Sequence, residues 1–219
     1  MAELETLRRS PLAHLARRLS DESQSDVIAL RERAFLGMVG VRVAPDSLAA
    51  ERMAGVLGAP LPTTCGQTTV ADGHTGLWLG PDEWLVVSAG DPLALTARLE
   101  EALDSDPGLV TDLSANRTVL ELDGPRARAV LEKGCPVDLH PRAFAPGRAV
   151  TTTLARVPLL LWQTGDQSYR LLPRASFADY VARWLLDAMT EFTAKRQARH
   201  DHERSDCGAR PRPRPYRRT

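Results

Sequence analysis

Two adjacent acids, Asp82 and Glu83, lie between Trp78 and Trp84 in the apolar run LWLGPDEWLVVS. Paired carboxylates can perform general acid–base chemistry when burial separates their two pKa values. An adjacent pair on a tight turn is solvated, however, and Gly-Pro-Asp-Glu has the composition of a turn between two strands. The sequence therefore favours a hairpin turn over a catalytic pair, with both tryptophans as packing or interface residues.

A second polar group, Asp112, Ser114 and Arg117, lies in the segment TDLSANRT. An Asp-x-Ser sequence with an arginine five residues after the aspartate could hold an anion. The same residues are also typical of an Asx or Ser turn with a local salt bridge, at the point where the chain enters a strand at Thr118. We favour the turn.

Three residues near the C-terminus, His200, His202 and Cys207, have side chains of the types that bind zinc. They lack a fourth ligand and a folded scaffold, which favours a solvated tail over a metal site. No nucleophile or second ligand stands at a recognisable spacing from the remaining histidines, which are His14, His74 and His140. The sequence thus supports neither a zinc site nor a catalytic triad.

The elements that would position these side chains form an internal repeat. Gly80 and Gly165, eighty-five residues apart, occupy the same place in two strand-turn-strand runs, and Trp84 corresponds to Tyr169. Each run is followed by a helix-start signal: Asp91 before Pro92 in the first, and Ser176 with Asp179 three residues later in the second.

The upstream parts of the repeat agree as well. Strand-like segments at 36–43 and 118–122 each precede a small-residue turn and an Ala-rich helix, at 47–57 and 126–133. A Gly/Pro break and a Thr-rich strand come next, at 63–70 and 150–154. Each unit therefore reads strand, helix, two or three strands, helix. This order predicts the α+β class, with two pseudo-duplicated units whose sheets carry their helices on one face.

The domain organisation follows from these elements. We predict an N-terminal arm at 1–26, an α+β domain at 27–192 and a disordered tail at 193–219, because the tail alternates Arg with Pro and has few apolar residues. The halves of the domain divide at about 105/106. One amphipathic stretch in the arm could pack on the body or on another chain: Leu12, Leu15 and Leu19.

Charge and cysteine content narrow the class of protein. The chain has 28 basic and 28 acidic residues, but 193–219 holds nine basic and three acidic ones, so that 1–192 has nineteen and twenty-five. The tail is about +6 and the body about −6, and no folded nucleic-acid-binding motif accompanies the tail. Three dispersed cysteines favour a reducing compartment, and no apolar run spans a bilayer. We predict a cytoplasmic protein without nucleic-acid or membrane partners.

Several motifs stand in a recognisable order between residues 10 and 189: SPLAHL, LGMVGVRV, LWLGPDEWLVV, GLVTDLSANRTVLELDGPRARAVLEKGCPVDL, FAPGRAVTTTLARVPLLLWQ and YRLLPRASFADYVARWLLDA. Together they resemble the gamma subunit of heterotetrameric sarcosine oxidase. That family is related to the folate-binding fold of the glycine-cleavage aminomethyltransferase. The resemblance implies a non-catalytic subunit held by alpha, beta and delta partner chains.

The resemblance also implies the chemistry of the whole complex. Such a complex oxidises sarcosine to glycine, passes the one-carbon unit to tetrahydrofolate and produces hydrogen peroxide, with FAD, FMN and NAD on its larger subunits. The sequence of this chain agrees with a subunit that holds no cofactor, because it lacks G-x-G-x-x-G behind a strand and a phosphate-cradling loop.

Two positions gain interest from the resemblance. Asp138 falls where the related aminomethyltransferases have the aspartate of their folate pocket, although Val137 replaces the usual Asn; the alternative is a loop Asp that pairs with Arg142 or caps a turn. The segment Lys133-Gly134-Cys135 is similar to one in folate-fold iron–sulfur repair proteins, but their Gly-Gln-Glu is missing, and Cys135 is more simply a small buried apolar residue.

Three functions therefore stay open at the level of the sequence. The first is an interaction subunit of sarcosine oxidase. The second is a stand-alone folate-dependent aminomethyltransferase-like protein in which Asp138 is the working carboxylate. The third is an iron–sulfur maintenance protein that uses Cys135, which the missing Gly-Gln-Glu argues against.

Overall fold

The fold is given by a computed structural model, which describes the backbone of residues 8–206 and the side chains of residues 8–193. Ten strands occur in this part of the chain: β1 (Ala29–Glu32), β2 (Gly37–Val43), β3 (Thr68–Ala71), β4 (His74–Gly80), β5 (Glu83–Ser88), β6 (Gly108–Asp112), β7 (Leu120–Asp123), β8 (Ala149–Leu154), β9 (Val157–Gly165) and β10 (Ser168–Pro173). The α-helices are α1 (Ala16–Asp21), α2 (Leu48–Leu57), α3 (Pro92–Leu103), α4 (Ala127–Glu132) and α5 (Ala178–Asp206).

The strands form two five-stranded antiparallel sheets with the same internal order. The first sheet runs β3-β4-β5-β2-β6, and the second runs β8-β9-β10-β7-β1. The registers correspond too, because Trp84 pairs with Val41 in the first sheet where Tyr169 pairs with Leu122 in the second. The predicted α+β fold of two pseudo-duplicated units is therefore confirmed, with three consecutive strands after the first helix of each unit.

The two sheets exchange their edge strands. β1 precedes the whole first sheet in the chain but pairs with β7 in the second, and β6 follows the predicted boundary at 105/106 but pairs with β2 in the first. The strand pairing therefore crosses the boundary predicted between the halves, which stays a prediction. Hydrophobic alternation marks a segment as a strand, but it does not identify the partner strand, which depends on long-range pairing.

The sheets lie face to face between two outer layers of helices. Leu77 and Val87 of the first sheet pack with Leu160 and Trp162 of the second in a core between the sheets. A second core lies between the first sheet and the helices α2 and α3, and a third between the second sheet and the helices α1, α4 and α5. Each sheet is thus buried on both faces over much of its width, which explains the dense apolar runs in the central strands.

Local signals set several helix ends. Asp91 accepts a hydrogen bond from the Leu93 N–H at 3.0 Å, and Pro92 occupies the first position of α3, as predicted. The predicted cap at Ser176 is wrong, because this residue lies inside a short 3-10 turn before α5. In that turn the Phe177 N–H already donates to the Arg174 carbonyl at 2.9 Å.

The two ends of the chain differ from each other. Leu12, Leu15 and Leu19 are buried in the core of the second half, so the body is the partner of this amphipathic stretch. At the other end the backbone of α5 is helical to Asp206, well beyond the predicted start of the disordered tail at 193. Residues 193–206 contain good helix formers and no Gly or Pro, so a helix that has already formed extends through them at little cost. Residues 207–219 lie outside the described part.

Within the described residues no helix is long and apolar enough to cross a membrane.

Candidate functional site

The acid pair between the tryptophans forms a hairpin turn. The strands β4 and β5 pair from Trp78 opposite Trp84 to Gly80 opposite Glu83. Glu83 is 3.0 Å from the Arg42 guanidinium, and both side chains are about half exposed. The carbonyl of Asp82 accepts the N–H of Val43 at 3.2 Å, and this hydrogen bond connects the turn to the end of β2. The predicted hairpin is confirmed.

The segment that begins at Asp112 also forms a turn. The carboxylate of Asp112 accepts the Ser114 N–H at 2.8 Å, and the Ser114 hydroxyl accepts the Met38 N–H at 3.0 Å. Arg117 donates to the Leu172 carbonyl at 2.9 Å instead of forming the local salt bridge that we expected. Burial and the neighbouring Arg174 lower the pKa of Arg117. These side chains link the two halves.

Asp138 lies in an exposed loop after α4. Its Oδ1 atom accepts the His140 N–H at 2.9 Å, and His140 Nδ1 in turn accepts the Arg142 N–H at 3.2 Å. The loop therefore uses these side chains to satisfy its own backbone, which corresponds to the turn-cap alternative. A folate role for Asp138 stays a prediction.

The Lys-Gly-Cys segment has structural contacts. Lys133 Nζ donates to the Ala188 carbonyl at 2.6 Å and lies 2.9 Å from a Glu191 carboxylate oxygen, so it fastens α4 to α5. A Cβ added to Gly134 would approach the Trp184 ring to 2.6 Å, which explains the glycine. Cys135 is partly buried against the core of the second half. The prediction of a small apolar role for Cys135 agrees with this packing.

The three histidines with described side chains, His14, His74 and His140, do not form a common cluster. His14 Nε2 lies 2.7 Å from an Asp179 oxygen at the surface, and Arg183 and His14 together lower the pKa of Asp179. His74 Nδ1 is buried without a hydrogen-bond partner. Among the described residues no group of His, Cys, Asp and Glu could hold a metal ion. The side chains of His200 and His202, and all of Cys207, lie outside the described residues.

A buried carboxylate in the middle of β7 is the polar centre that the sequence reasoning missed. Only 7% of the Glu121 side chain is exposed. Arg31 Nε donates to Glu121 Oε2 at 2.7 Å, and Arg170 Nε donates to Oε1 at 2.9 Å. Arg33 makes a longer contact of 3.5 Å with Oε1. We call Arg31, Arg33 and Arg170 together with Glu121 the arginine cluster.

Strand register explains this cluster. Arg31 on β1 and Arg170 on β10 both stand opposite Glu121, and Trp162 on β9 stands opposite Arg170. These residues face the inner side of the second sheet, where Trp162 belongs to the core between the sheets and Arg170 lies 4.9 Å from its ring centre. The side chains of Trp162, Arg170, Glu121 and Arg31 thus form a row across the sheet. The row runs from the core to the solvent, where 63% of the Arg31 side chain is exposed.

The pKa values within the cluster follow from its geometry. Burial alone would raise the pKa of Glu121, but hydrogen bonds and charge from Arg31 and Arg170 outweigh burial and lower it. The pKa of Arg31 is raised, chiefly by its hydrogen bond to Glu121. The carboxylate therefore stays ionised at neutral pH and holds the guanidinium groups in place. A signal was present in the sequence, since TVLEL places one acid in the centre of an apolar strand.

Comparisons with known proteins agree with this architecture. A family model described as sarcosine oxidase, gamma subunit family, matches residues 42–191. The gamma subunit of sarcosine oxidase from Arthrobacter sp is 49% identical over 195 residues, covering 89% of this chain and 96% of the relative. The gamma subunit from Corynebacterium sp. (strain U-96) is 48% identical over 197 residues, with the same two coverages.

Solved structures give the same result. A chain of the heterotetrameric sarcosine oxidase from Corynebacterium sp. U-96, in complex with pyrrole 2-carboxylate, has a TM-score of 0.82 and 48% identity, and the match covers 85% of this chain and 97% of that one. The glycine cleavage system aminomethyltransferase T from Bartonella henselae has a TM-score of 0.63 at 18% identity, covering 82% of this chain and 57% of that one. At that identity the likeness concerns the fold.

The paired sheets with outer helices therefore define a fold like that of the folate-binding aminomethyltransferases. Within this class the chain belongs to the sarcosine oxidase gamma subunit family.

Proposed function

We propose that this chain is the gamma subunit of a heterotetrameric sarcosine oxidase and that it supports the assembly without performing chemistry itself. The observation on which this rests is the match to a chain of the solved heterotetrameric enzyme, at 48% identity over 85% of this chain. The coverage of 97% of that chain means that the whole relative, not one domain of it, corresponds to this protein.

In this proposal the partners are the alpha, beta and delta subunits. They would hold FAD, FMN, NAD and tetrahydrofolate, and they would demethylate sarcosine oxidatively to glycine with transfer of the one-carbon unit to tetrahydrofolate. The gamma subunit would contribute surface and rigidity. A cytoplasmic location belongs to the same proposal, and the free thiols of Cys65 and Cys135 are consistent with it.

The local contacts of the polar residues support a structural role. Asp112 and Asp138 satisfy backbone N–H groups of their own turns, and Glu83 pairs with Arg42 across two strands. Glu121 is held by arginines that lower its pKa, so it cannot act as a proton donor near neutral pH. Contacts of this kind stabilise the fold, as expected for a structural subunit.

Co-expression of the four chains tests the proposal. We expect the tagged gamma chain to retain the other three subunits through purification, and the complex to release hydrogen peroxide when sarcosine is added. The gamma chain alone should bind tetrahydrofolate no better than an unrelated control protein and should not turn over sarcosine. Turnover by the isolated chain, or failure of the four chains to co-purify, would contradict the proposal and would favour the stand-alone aminomethyltransferase.

A further inference from the structure

The proposed function assigns no role to the arginine cluster, although the burial of its charged groups carries a desolvation free energy. A buried carboxylate is destabilising unless it is paired, and Glu121 is paired with more guanidinium groups than its charge requires. Asp123 lies 3.2 Å from Arg31 on the same face of the sheet. Even with that acid included, three arginines face two carboxylates, so the inner face of the sheet is locally positive at this edge.

The acid next to Arg31 in the sequence, Glu32, does not belong to the cluster. Glu32 alternates with Arg31 along β1 and therefore points to the opposite face of the sheet. There its carboxylate oxygens accept hydrogen bonds from the Ser10 hydroxyl at 2.5 Å and the Thr118 hydroxyl at 2.6 Å. The positive edge therefore stands out on a body of about −6, the net charge of residues 1–192.

An exposed aromatic residue lies close to the cluster in the sequence. Phe35 stands two residues after Arg33 and three after the end of β1, 51% of it is exposed, and its backbone is in the left-handed region at a φ of 63°. The Arg8 guanidinium lies 4.7 Å from the centre of its ring. Arginine and aromatic side chains are the residues most enriched in the centres of protein–protein interfaces.

Two of the three guanidinium groups are also pre-organised. Glu121 fixes Arg31 and Arg170 through short hydrogen bonds, so these side chains lose little further freedom when they bind a partner. A guanidinium has five N–H donors, and its planar fork matches the two oxygens of a carboxylate. With 63% of Arg31 and 48% of Arg33 exposed, both remain within reach of another chain.

We propose that the surface formed by Arg31, Arg33 and Phe35, backed by Arg170 and Glu121, binds an acidic segment of a partner subunit in the assembled oxidase. This inference rests on the proposed function and deepens it, since it assigns the face of this chain that docks. Three arginines against the two carboxylates of Glu121 and Asp123 leave a net charge of about +1, which is small for the closely spaced phosphates of a nucleic acid. A single carboxylate of a protein segment matches this excess better.

Charge reversal at Arg33 tests the surface in the whole complex. Arg33 is suited to this because its contact with Glu121 is long, 3.5 Å, and its loss disturbs the cluster little. The four chains would be co-expressed with Arg33→Glu or Phe35→Ser, and dissociation on dilution would be followed by mass photometry at low and high salt. The matched control is Arg156→Glu, an exposed arginine in the turn between β8 and β9 of the same sheet.

We expect Arg33→Glu to weaken retention of the partner chains about tenfold and to reduce the salt dependence of dissociation. Phe35→Ser should weaken retention without changing the salt dependence, and Arg156→Glu should behave as wild type. If both test variants dissociate at the wild-type dilution, the inference is wrong although the proposed function stands. If the wild-type chains do not assemble, the proposed function itself fails. Binding of a short RNA that Arg33→Glu abolishes, with assembly unchanged, would also overturn the inference.

Discussion

Replacement of Glu121 by glutamine should destabilise this protein far more than replacement of any surface acid. The carboxylate accepts hydrogen bonds of 2.7 Å from Arg31 and 2.9 Å from Arg170. Each charge-assisted bond to a buried group contributes about 1.5–3 kcal/mol, and glutamine keeps one acceptor oxygen but loses the charge. We therefore expect Glu121→Gln to lower the free energy of unfolding by about 2–4 kcal/mol at neutral pH. For a chain of this size that corresponds to a Tm lower by roughly 5–15 °C.

The assay is urea unfolding of the isolated chain, followed by tryptophan fluorescence and circular dichroism. Glu83→Gln is the matched control, because Glu83 also pairs with an arginine but is about half exposed. Surface pairs of this kind contribute less than about 1 kcal/mol. The reasoning is refuted if Glu121→Gln costs no more stability than Glu83→Gln does.

The pH dependence adds a second check with a defined sign. The pKa of Glu121 is lower in the folded protein than the value of about 4.3 for an unperturbed glutamate. Its stabilisation is therefore fully present above that unfolded value and is lost as the pH falls through the lowered folded value. The difference in unfolding free energy between wild type and Glu121→Gln should be constant from neutral to weakly acidic pH and should shrink below it. A difference that persisted in strong acid would show that charge is not its cause.

Three further test variants, two of them with a matched control variant, probe the packing and the predicted site. Trp84→Phe should cost about 1–3 kcal/mol in urea unfolding, because it removes the buried indole donor to the Pro62 carbonyl at 2.7 Å; Trp78→Phe, whose indole N–H has no hydrogen-bond partner, should cost less. Gly134→Ala should lower stability by about 1–3 kcal/mol through overlap with Trp184, whereas Gly55→Ala, with open space at its Cβ, should raise it slightly in thermal melts. Asp138→Asn should leave folate-dependent product formation by the complex unchanged, since asparagine keeps the acceptor for the His140 N–H; a loss of that product would place the pterin site at Asp138.

Much of the fold could be predicted because its signals are local. The Gly80 and Gly165 turns, the helix start at Asp91 and the alternation of apolar residues all lie within single elements, and the repeat supplied the turn and strand signals twice. The exchange of β1 and β6 could not be predicted in this way. Either edge strand could pair with either sheet as far as its own residues are concerned, and only the assembled sheets decide.

The arginine cluster was hidden for a related reason. Arg31 is 90 residues from Glu121 in the sequence, and Arg170 is 49 residues from it. In the sequence, each arginine resembles an ordinary polar residue of a strand. A pair of this kind becomes visible only when the register of three strands is known. The contacts of Asp138 are local and cap a loop, and the folate role that the family resemblance suggests for it stays a prediction.

The crossed edge strands also govern the order in which the protein can be completed on the ribosome. During translation a β-sheet can form completely only after its last strand has left the ribosome. The first sheet can be complete once Asp112 is outside the exit tunnel. β1, although made before any other strand, must wait for Leu120–Asp123 to provide its partner. During that interval the earliest segment of the newborn chain is an unpaired strand that a chaperone or a neighbouring subunit could hold.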